Sequence, residues 1–145
     1  MEDIRNAILS GADSAAIAAL PIPATYRGAH VRLADVEMFA GLDSHEKDPR
    51  KSIHVGEVPT PELAPDEVYV AVMASSINFN TVWTSIFEPI HTFGPMQRLG
   101  RESELAKRHD RDYQVIGSDA SGVVLKVGAA VRTWKPGDKV TVHCN

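Results

Sequence analysis

The chain has 145 residues, 43% of them apolar, with a formal net charge of −4 and an isoelectric point near 5.8. This length allows one domain with its own core, and the acidic balance argues against a nucleic-acid partner. No apolar run reaches the roughly 18 residues of a membrane helix, and the acidic N-terminus lacks the pattern of a signal peptide. A single cysteine, Cys144, excludes an internal disulfide framework. We therefore expect a soluble, cytoplasmic protein without a membrane partner.

The N-terminal segment is predicted to be helical over residues 3–20. Ile4, Ala7 and Ile8 fall on one helical face, and the alanine-rich run that follows has a high helix propensity. Pro21 ends the pattern. We interpret residues 1–22 as a short N-terminal docking helix.

A strand and then a polar loop follow this helix. Residues 26–33 alternate between apolar and polar side chains, as a half-buried strand does. Residues 41–51 carry mixed charges and a proline, which is typical of a loop. Arg50 and Lys51 are paired cations, so this loop either binds a phosphate group or is a solvated surface loop.

Short β-rich segments dominate the rest of the chain. Strands are predicted over residues 53–55, 68–77, 115–116, 123–127 and 140–144, and helices over residues 81–87 and 102–108. Pro136 and Gly137 occupy the central positions of a predicted type II turn. This arrangement favours a small barrel or sandwich. Because the last predicted strand has no cap or tail, we expect the chain to be the N-terminal piece of a longer protein.

Metal, nucleotide and nucleophile motifs are weak in this sequence. None of the six histidines forms a helical i, i+4 pair, and His143 and Cys144 are neighbours on a predicted strand, so that their side chains point to opposite faces. The glycines at 117 and 122 lack the spacing of a dinucleotide-binding turn. Cys144 has no evident catalytic base. We expect no metal site within the chain.

Two amides, Asn78 and Asn80, follow the apolar strand predicted over residues 68–77. The exit of a buried strand commonly carries function, and residues two apart share a face if the strand continues. Asparagine is also a favoured N-cap, so the alternative is that one of the two amides caps the helix that begins near Thr81. Spacing alone leaves both interpretations open.

The order of several motifs resembles the medium-chain dehydrogenases/reductases. The motifs are Glu67-Val68-Tyr69-Val70-Ala71-Val72, Ile77-Asn78-Phe79-Asn80, Ile116 to Val124, Val127-Gly128 and Lys135 to Val140. The resemblance implies an α+β, mostly β fold: a partial GroES-like barrel with an N-terminal helix. Residues 23–145 would be the incomplete N-terminal part of the GroES-like catalytic domain, and the Rossmann domain that binds NADP(H) would be absent from this chain.

The zinc-dependent members of that family have Gly-His-Glu where this chain has Gly117-Ser118-Asp119, and a cysteine where it has Asn78. Both differences remove zinc ligands, so the resemblance implies a zinc-free reductase. A hydroxyl that relays protons in the zinc enzymes would fall at Asn80, which implies that Asn80 lies at the substrate end of the site.

A closer resemblance, carried by residues 38–42, 47–52, 73–89 and 117–124, is to the crotonyl-CoA carboxylase/reductases. These enzymes reduce an α,β-unsaturated acyl-CoA with NADPH and trap the product with CO2. The resemblance implies that Asn80 positions CO2 and that Asn78 lies near the cofactor, which is bound mainly by residues outside the chain. It also implies an acyl pocket lined by Trp83, Ile86 and Phe87, although core packing explains those three side chains equally well.

Two alternatives to reductive carboxylation remain at this point. One is a zinc-free enoyl-CoA or quinone reductase without carboxylation, and the other is a non-catalytic GroES-like binding module. We expect the full-length protein to be a homo-oligomer, a dimer or tetramer as in its relatives, and this segment alone to be inactive because it lacks the hydride donor's site.

Overall fold

The computed structural model describes residues 1–142, apart from the side chain of Leu105, and divides them into two compact units. Of the described residues, the first unit comprises Met1–Tyr26, Pro59–Ser76 and residues 118–142. The second comprises Arg27–Val58 and Ile77–Gly117. Each unit is therefore assembled from segments that are distant in sequence.

The N-terminal region contains two helices, α1 (Glu2–Leu9) and α2 (Ser14–Ala19). The prediction of one helix over residues 3–20 is wrong in this respect. The break lies at Gly11, whose φ of +73° is left-handed and suits glycine. Asp13 then starts α2, because its carboxylate accepts a hydrogen bond of 2.8 Å from the Ala16 N–H.

The sheet of the first unit has the order β3-β5-β6, with strands β3 (Val68–Ala74), β5 (Ala120–Val127) and β6 (Lys139–Val142). Both pairings are antiparallel. Strand β3 ends three residues before the predicted end at residue 77. Of the strand predicted over residues 140–144, His143 and Cys144 lie outside the described residues.

One position where β3 pairs with β5 requires glycine. Gly122 pairs with Val72 on β3 and Val140 on β6. A Cβ at this position would lie 2.2 Å from the Ala71 carbonyl oxygen. The close approach of β3 and β5 therefore depends on the missing side chain.

The core of the first unit joins the N-terminal helices to the sheet. Ile4 of α1, Ile17 of α2, Ala71 of β3 and Leu125 of β5 form one buried cluster. Partly buried apolar residues such as Tyr69 surround it. This packing explains why short helices that are marginal in isolation are held in place.

A second sheet has the order β2-β1-β4, with β1 (Thr25–Arg32), β2 (His54–Pro59) and β4 (Tyr113–Val115), and most of its residues belong to the second unit. The helices of this unit are α3 (Phe79–Ser85) and α4 (Phe93–Glu102). Short 3-10 helices span Leu33–Phe39, Ser44–Glu46, Pro49–Lys51 and Glu104–His109.

The core of the second unit is built around Val31, Phe39, Phe87 and Phe93. The rings of Phe39 and Phe87 lie 6.3 Å apart. This cluster fixes the segment between α3 and α4 against the 3-10 helix that ends at Phe39.

The expected small, mostly β domain with a few helices is confirmed, but neither three-stranded sheet closes into a barrel within residues 1–142. The same residues contain no Rossmann domain. None of their helices has the length and apolar character needed to cross a membrane.

Candidate active site

The beginning of α3 is defined by Asn78. This residue is extended, with φ of −127° and ψ of 179°, and its side-chain Oδ1 accepts a 3.2 Å hydrogen bond from the Thr81 N–H. Asn78 is therefore the N-cap of α3, which confirms the capping interpretation. Because β3 ends at Ala74, the two amides do not share a strand face. The proposed contact of Asn78 with the cofactor stays a prediction.

Asn80 is the second residue of α3 and is exposed. Two apolar residues that precede it are exposed as well: Ile77 is 85% exposed and Phe79 is 80% exposed. The Asn80 amide can both donate and accept hydrogen bonds. Its proposed role in positioning CO2 stays a prediction.

The end of α3 has the geometry of a Schellman motif. The Glu88 N–H donates to the Trp83 carbonyl at 3.0 Å, and the Phe87 N–H donates to the Thr84 carbonyl at 3.3 Å. Phe87 occupies the left-handed position with φ of 60°, where glycine is usual. A bulky residue in this region carries a backbone cost of about 1–2 kcal/mol. The buried Phe87 ring offsets that cost through its packing in the core.

Two tethers hold the chain from residue 44 to residue 52 against the end of α3. The fully buried Ser52 hydroxyl donates to the Ser85 carbonyl. Ser44 Oγ donates to Glu88 Oε2 at 2.6 Å, and Lys47 forms an ion pair with the same carboxylate. The hydrogen bonds from Lys47 and Ser44 lower the pKa of Glu88. Ile86 and Phe87 lie between these tethers in sequence.

An open cleft of about 470 Å³ lies within the second unit beside this segment. Ile86 and Phe87 line it, as the predicted acyl pocket requires, whereas Trp83 does not. Trp83 is instead 41% exposed on α3. Sequence reasoning missed Leu42 and Ile90, which also line the cleft. Their distance along the chain gives no signal that they meet. The role of the predicted pocket residues stays a prediction.

The paired cations at residues 50 and 51 lie in a short 3-10 helix capped by Asp48. Arg50 is exposed, and its Nη2 donates to Asp48 Oδ2 at 2.8 Å. Hydrogen bonds from the Arg50 side chain and backbone lower the pKa of Asp48 to about 2. This internal pairing favours the surface-loop interpretation over a phosphate site.

The segment that replaces the zinc-binding Gly-His-Glu motif lies after β4. Gly117 has a φ of +104°, and Asp119 accepts a hydrogen bond from the Ser76 hydroxyl at 2.5 Å. Asp119 therefore fixes the chain that leaves β3. Within residues 1–142 there is no group of three or more His, Cys, Asp or Glu side chains that could hold a metal ion. His143 and Cys144 lie outside the described residues.

Curated relatives match nearly the whole chain. It is 58% identical over 145 residues to "Crotonyl-CoA reductase" of Streptomyces avermitilis, a match that covers 99% of the chain and 33% of that relative. It is 57% identical to the protein of the same name from Streptomyces collinus, covering 32% of it. "Crotonyl-CoA carboxylase/reductase" of Cereibacter sphaeroides is 35% identical over 111 residues, which cover 75% of the chain and 23% of that relative. The chain thus spans about a third of the length of the first two relatives.

Solved structures share the fold. The apo-structure of 2-octenoyl-CoA carboxylase reductase CinF from a Streptomyces species matches with a TM-score of 0.89 and 55% identity, covering 97% of this chain and 33% of that one. The structure of CinF in complex with NADP and 2-octenoyl-CoA matches with a TM-score of 0.91 at the same identity, covering 97% and 31%. These matches confirm the resemblance found in the sequence.

Residues 64–145 match the family described as "Alcohol dehydrogenase GroES-like domain". The matched segment includes β3, α3, β5 and β6, which carry the motifs from which the resemblance was inferred. The predicted start of the domain at residue 23 stays a prediction. The chain belongs to the alcohol dehydrogenase GroES-like domain family, within the medium-chain dehydrogenase/reductase superfamily.

Proposed function

We propose that this chain is part of the catalytic domain of an NADPH-dependent enoyl-CoA carboxylase/reductase, which converts an α,β-unsaturated acyl-CoA of the crotonyl-CoA type to the ethylmalonyl-CoA type of product. The observation that carries the proposal is the 58% identity to a crotonyl-CoA reductase over 99% of the chain. A relative that is 55% identical is described in complex with NADP and 2-octenoyl-CoA. The proposal extends to a cytoplasmic location.

NADPH, when bound, supplies a hydride to the β-carbon of the unsaturated thioester. The chain's contribution to cofactor binding is limited, because residues 1–142 include no Rossmann domain. Asn78 is the residue proposed to lie near the cofactor. Its Oδ1 caps α3, while the NH2 group of an asparagine side chain is a donor suited to a ribose oxygen. The segment alone is accordingly proposed to be inactive.

Addition of hydride to the β-carbon leaves an enolate whose α-carbon is nucleophilic. If a proton reaches the α-carbon, the saturated acyl-CoA forms. If the α-carbon attacks CO2, a new carbon–carbon bond forms and a carboxylate is produced. Asn80 is proposed to hold CO2 for the second outcome, because an amide N–H polarises a CO2 oxygen without being an acid that protonates the enolate.

Two physical effects would make that positioning effective. Holding CO2 next to the α-carbon converts a bimolecular step into one with a high effective concentration. The amide also stabilises the negative charge that develops on the CO2 oxygens, and one such aimed donor contributes about 10²–10³ in rate in other enzymes. The exposed apolar side chains of Ile77 and Phe79 beside Asn80 would reduce the local dielectric once they are covered.

The test uses the full-length protein with crotonyl-CoA and NADPH, with and without bicarbonate, and measures both NADPH oxidation and the acyl-CoA products. We predict that Asn80→Asp and Asn80→Leu reduce the ratio of carboxylated to saturated product at least tenfold, while NADPH oxidation falls less. Asn6→Asp, at an exposed asparagine of α1, is the control. An unchanged product ratio in both Asn80 variants would exclude Asn80 as the CO2 residue.

A second candidate is an enoyl-CoA reductase without carboxylation. It is favoured by the names of the two most complete curated matches reported above, which mention reduction alone. The bicarbonate experiment separates the two candidates: saturated acyl-CoA as the sole product at every bicarbonate concentration would establish the reductase and refute the carboxylase.

A further inference from the structure

We infer that Glu88, held by Lys47, is a positioning residue for α3. It fixes the helix from its C-terminal end, so that Asn80, near the other end, lies where CO2 must be held. The inference rests on the proposed function and adds the residues on which the choice between carboxylated and saturated product depends. Glu88 and Lys47 act through the helix and take no part in the bond-forming steps.

The position of α3 cannot come from a buried apolar face. Within the part of the chain that the structure describes, the buried member of its 7 residues is Ser85. The exposed members are Phe79, Asn80, Val82 and Trp83. Helices of this length are marginal in water, and in proteins it is normally the packing of an apolar face that stabilises them. The position of α3 therefore depends on contacts at its ends.

Glu88 connects the C-terminal end of α3 to the segment of residues 44–47. Its backbone N–H donates to the Trp83 carbonyl at 3.0 Å and so closes the helix. Its carboxylate accepts a 2.6 Å hydrogen bond from the Ser44 hydroxyl and forms an ion pair with Lys47. One residue thus belongs to the helix end through its main chain and is attached to a different segment through its side chain.

This ion pair is largely withdrawn from water. The side chains of Lys47 and Glu88 are 13% and 17% exposed, whereas the Arg50 side chain, in the neighbouring pair with Asp48, is 88% exposed. Removing one partner of a buried pair leaves an uncompensated charge, which then moves toward water. Because Glu88 also closes α3, such a movement would displace the end of the helix.

A second contact attaches the same end of α3. The Ser52 hydroxyl donates to the Ser85 carbonyl, and the Ser85 hydroxyl donates to the Thr81 carbonyl at 2.6 Å. Both serines are fully buried. The segment of residues 44–52 therefore contacts the last turn of α3 and the residue that closes it. Two points of attachment restrict the tilt of a short helix, which a single contact cannot do.

A small tilt of α3 has a large effect at Asn80. The positions from Asn80 to Ile86 span roughly 9 Å along the helix axis, at a rise of about 1.5 Å per residue. A tilt of about 6° about the attached end therefore moves Asn80 by roughly 1 Å. Misplacement of a positioning group by about 1 Å can lower a rate by about a hundredfold.

The ratio of the two products separates a positioning role from a purely structural one. In the proposed mechanism carboxylation requires the Asn80 amide, whereas hydride transfer from NADPH does not. Displacement of Asn80 therefore shifts the product from carboxylated to saturated acyl-CoA. A general loss of folded enzyme lowers the yield of both products equally and leaves their ratio unchanged.

The experiment uses the full-length protein with crotonyl-CoA, NADPH and bicarbonate, and measures both acyl-CoA products and NADPH oxidation. We expect Lys47→Met and Glu88→Gln to lower the ratio of carboxylated to saturated product by at least about tenfold, and NADPH oxidation by less than about threefold. Lys47→Arg retains a cation that can pair with the carboxylate and should keep the ratio within about twofold of the wild type.

Asp35→Asn is the matched control. The Asp35 carboxylate accepts a 2.7 Å hydrogen bond from His54 Nε2 in the same unit, and both residues are partly buried. They lie on the 3-10 helix Leu33–Phe39 and on β2. This variant should leave the product ratio unchanged. A fall in the ratio as large as that of Lys47→Met would attribute the effect to general destabilisation and overturn the inference.

An unchanged product ratio in both Lys47→Met and Glu88→Gln would refute the positioning role while the proposed function stands. If these two variants give no soluble protein, the decisive variant is Ser44→Ala, which removes one hydrogen bond to Glu88. We expect it to lower the ratio about threefold, and an unchanged ratio would overturn the inference. If the wild type forms no carboxylated product, the proposed carboxylation itself fails, and the role inferred for Glu88 fails with it.

Discussion

Replacing Asn78 by alanine removes the side-chain oxygen that accepts from the Thr81 N–H at 3.2 Å. Loss of an N-cap costs about 1 kcal/mol, with a range of about 0.5–2 kcal/mol. Helix α3 has 7 residues, so the cap is one of few interactions that stabilise its first turn. A cost of 1 kcal/mol corresponds to about a fivefold larger population of the open helix. We expect the backbone amides of Phe79–Ser85 to exchange about fivefold faster in this variant.

Hydrogen exchange of the full-length protein, read on peptides that cover α3, measures this opening directly. Asn78→Asp keeps the accepting oxygen and places a negative charge at a helix N-terminus, which is favourable, so its exchange should match that of the wild type. Asp13→Ala removes the corresponding cap of α2 and should accelerate exchange in α2 but not in α3. Exchange in α3 that is unchanged in Asn78→Ala would refute the capping argument.

The aspartate variant also separates the structural role of Asn78 from the proposed cofactor contact. Aspartate retains the cap but loses the NH2 donor. If Asn78 contacts the cofactor, Asn78→Asp raises the KM for NADPH although α3 remains stable. An unchanged KM would limit the residue to its capping role.

Two further predictions concern other parts of the chain. In the first unit, Gly122→Ala places a methyl group 2.2 Å from the Ala71 carbonyl oxygen, so we expect loss of soluble protein or a large drop in the unfolding temperature. The control is Gly56→Ala, whose Cβ has a nearest neighbour at 3.8 Å and which should resemble the wild type. Normal stability of both variants would refute the close strand approach. In the second unit, the pKa of Glu88 is lowered chiefly by Lys47, so its contribution to stability is present above the unfolded pKa and is lost as the pH falls through the lower folded value. Lys47→Met should therefore flatten the rise in urea midpoint that occurs as the pH increases toward the ordinary glutamate pKa of 4.5. An identical rise in variant and wild type would contradict this assignment.

Local sequence signals predicted the elements that depend on local interactions. The turn at Pro136 and Gly137 forms as expected, with Gly137 at φ of +93° and the Asp138 N–H donating to the Lys135 carbonyl at 3.2 Å. The strand predicted over residues 26–33 corresponds to Thr25–Arg32. These elements are determined by residues within a few positions of one another.

Helix α4 was missed because Gly94 and Pro95 indicated a break. Both lie in its first turn, where a proline costs little because its missing N–H would have no helical partner. The His91 ring accepts from the Gly94 N–H at 3.3 Å and caps this end. The N-cap residue is Thr92, a favoured residue type, but its side chain makes no capping hydrogen bond. The contact that satisfies the first turn therefore comes from a residue that no N-cap rule indicates.

The candidate site likewise combines local contacts, which the sequence indicated, with long-range contacts, which it did not. The choice of Asn78 as the cap of α3 follows a local rule, and it was one of the interpretations that the sequence left open. The cleft depends on Leu42 and Ile90 meeting Phe87, and the tether of Ser52 depends on a carbonyl 33 positions away. No periodicity encodes such contacts, because they arise from the tertiary arrangement.

The interleaved composition of the first unit has a consequence for biosynthesis. Its core joins Ile4 to Leu125, which are 121 residues apart. At about 5–20 residues per second, a ribosome adds the later residue roughly 6–24 seconds after the earlier one. During that interval the apolar faces of the N-terminal helices have no partner from β5, and they are candidates for chaperone binding on the nascent chain.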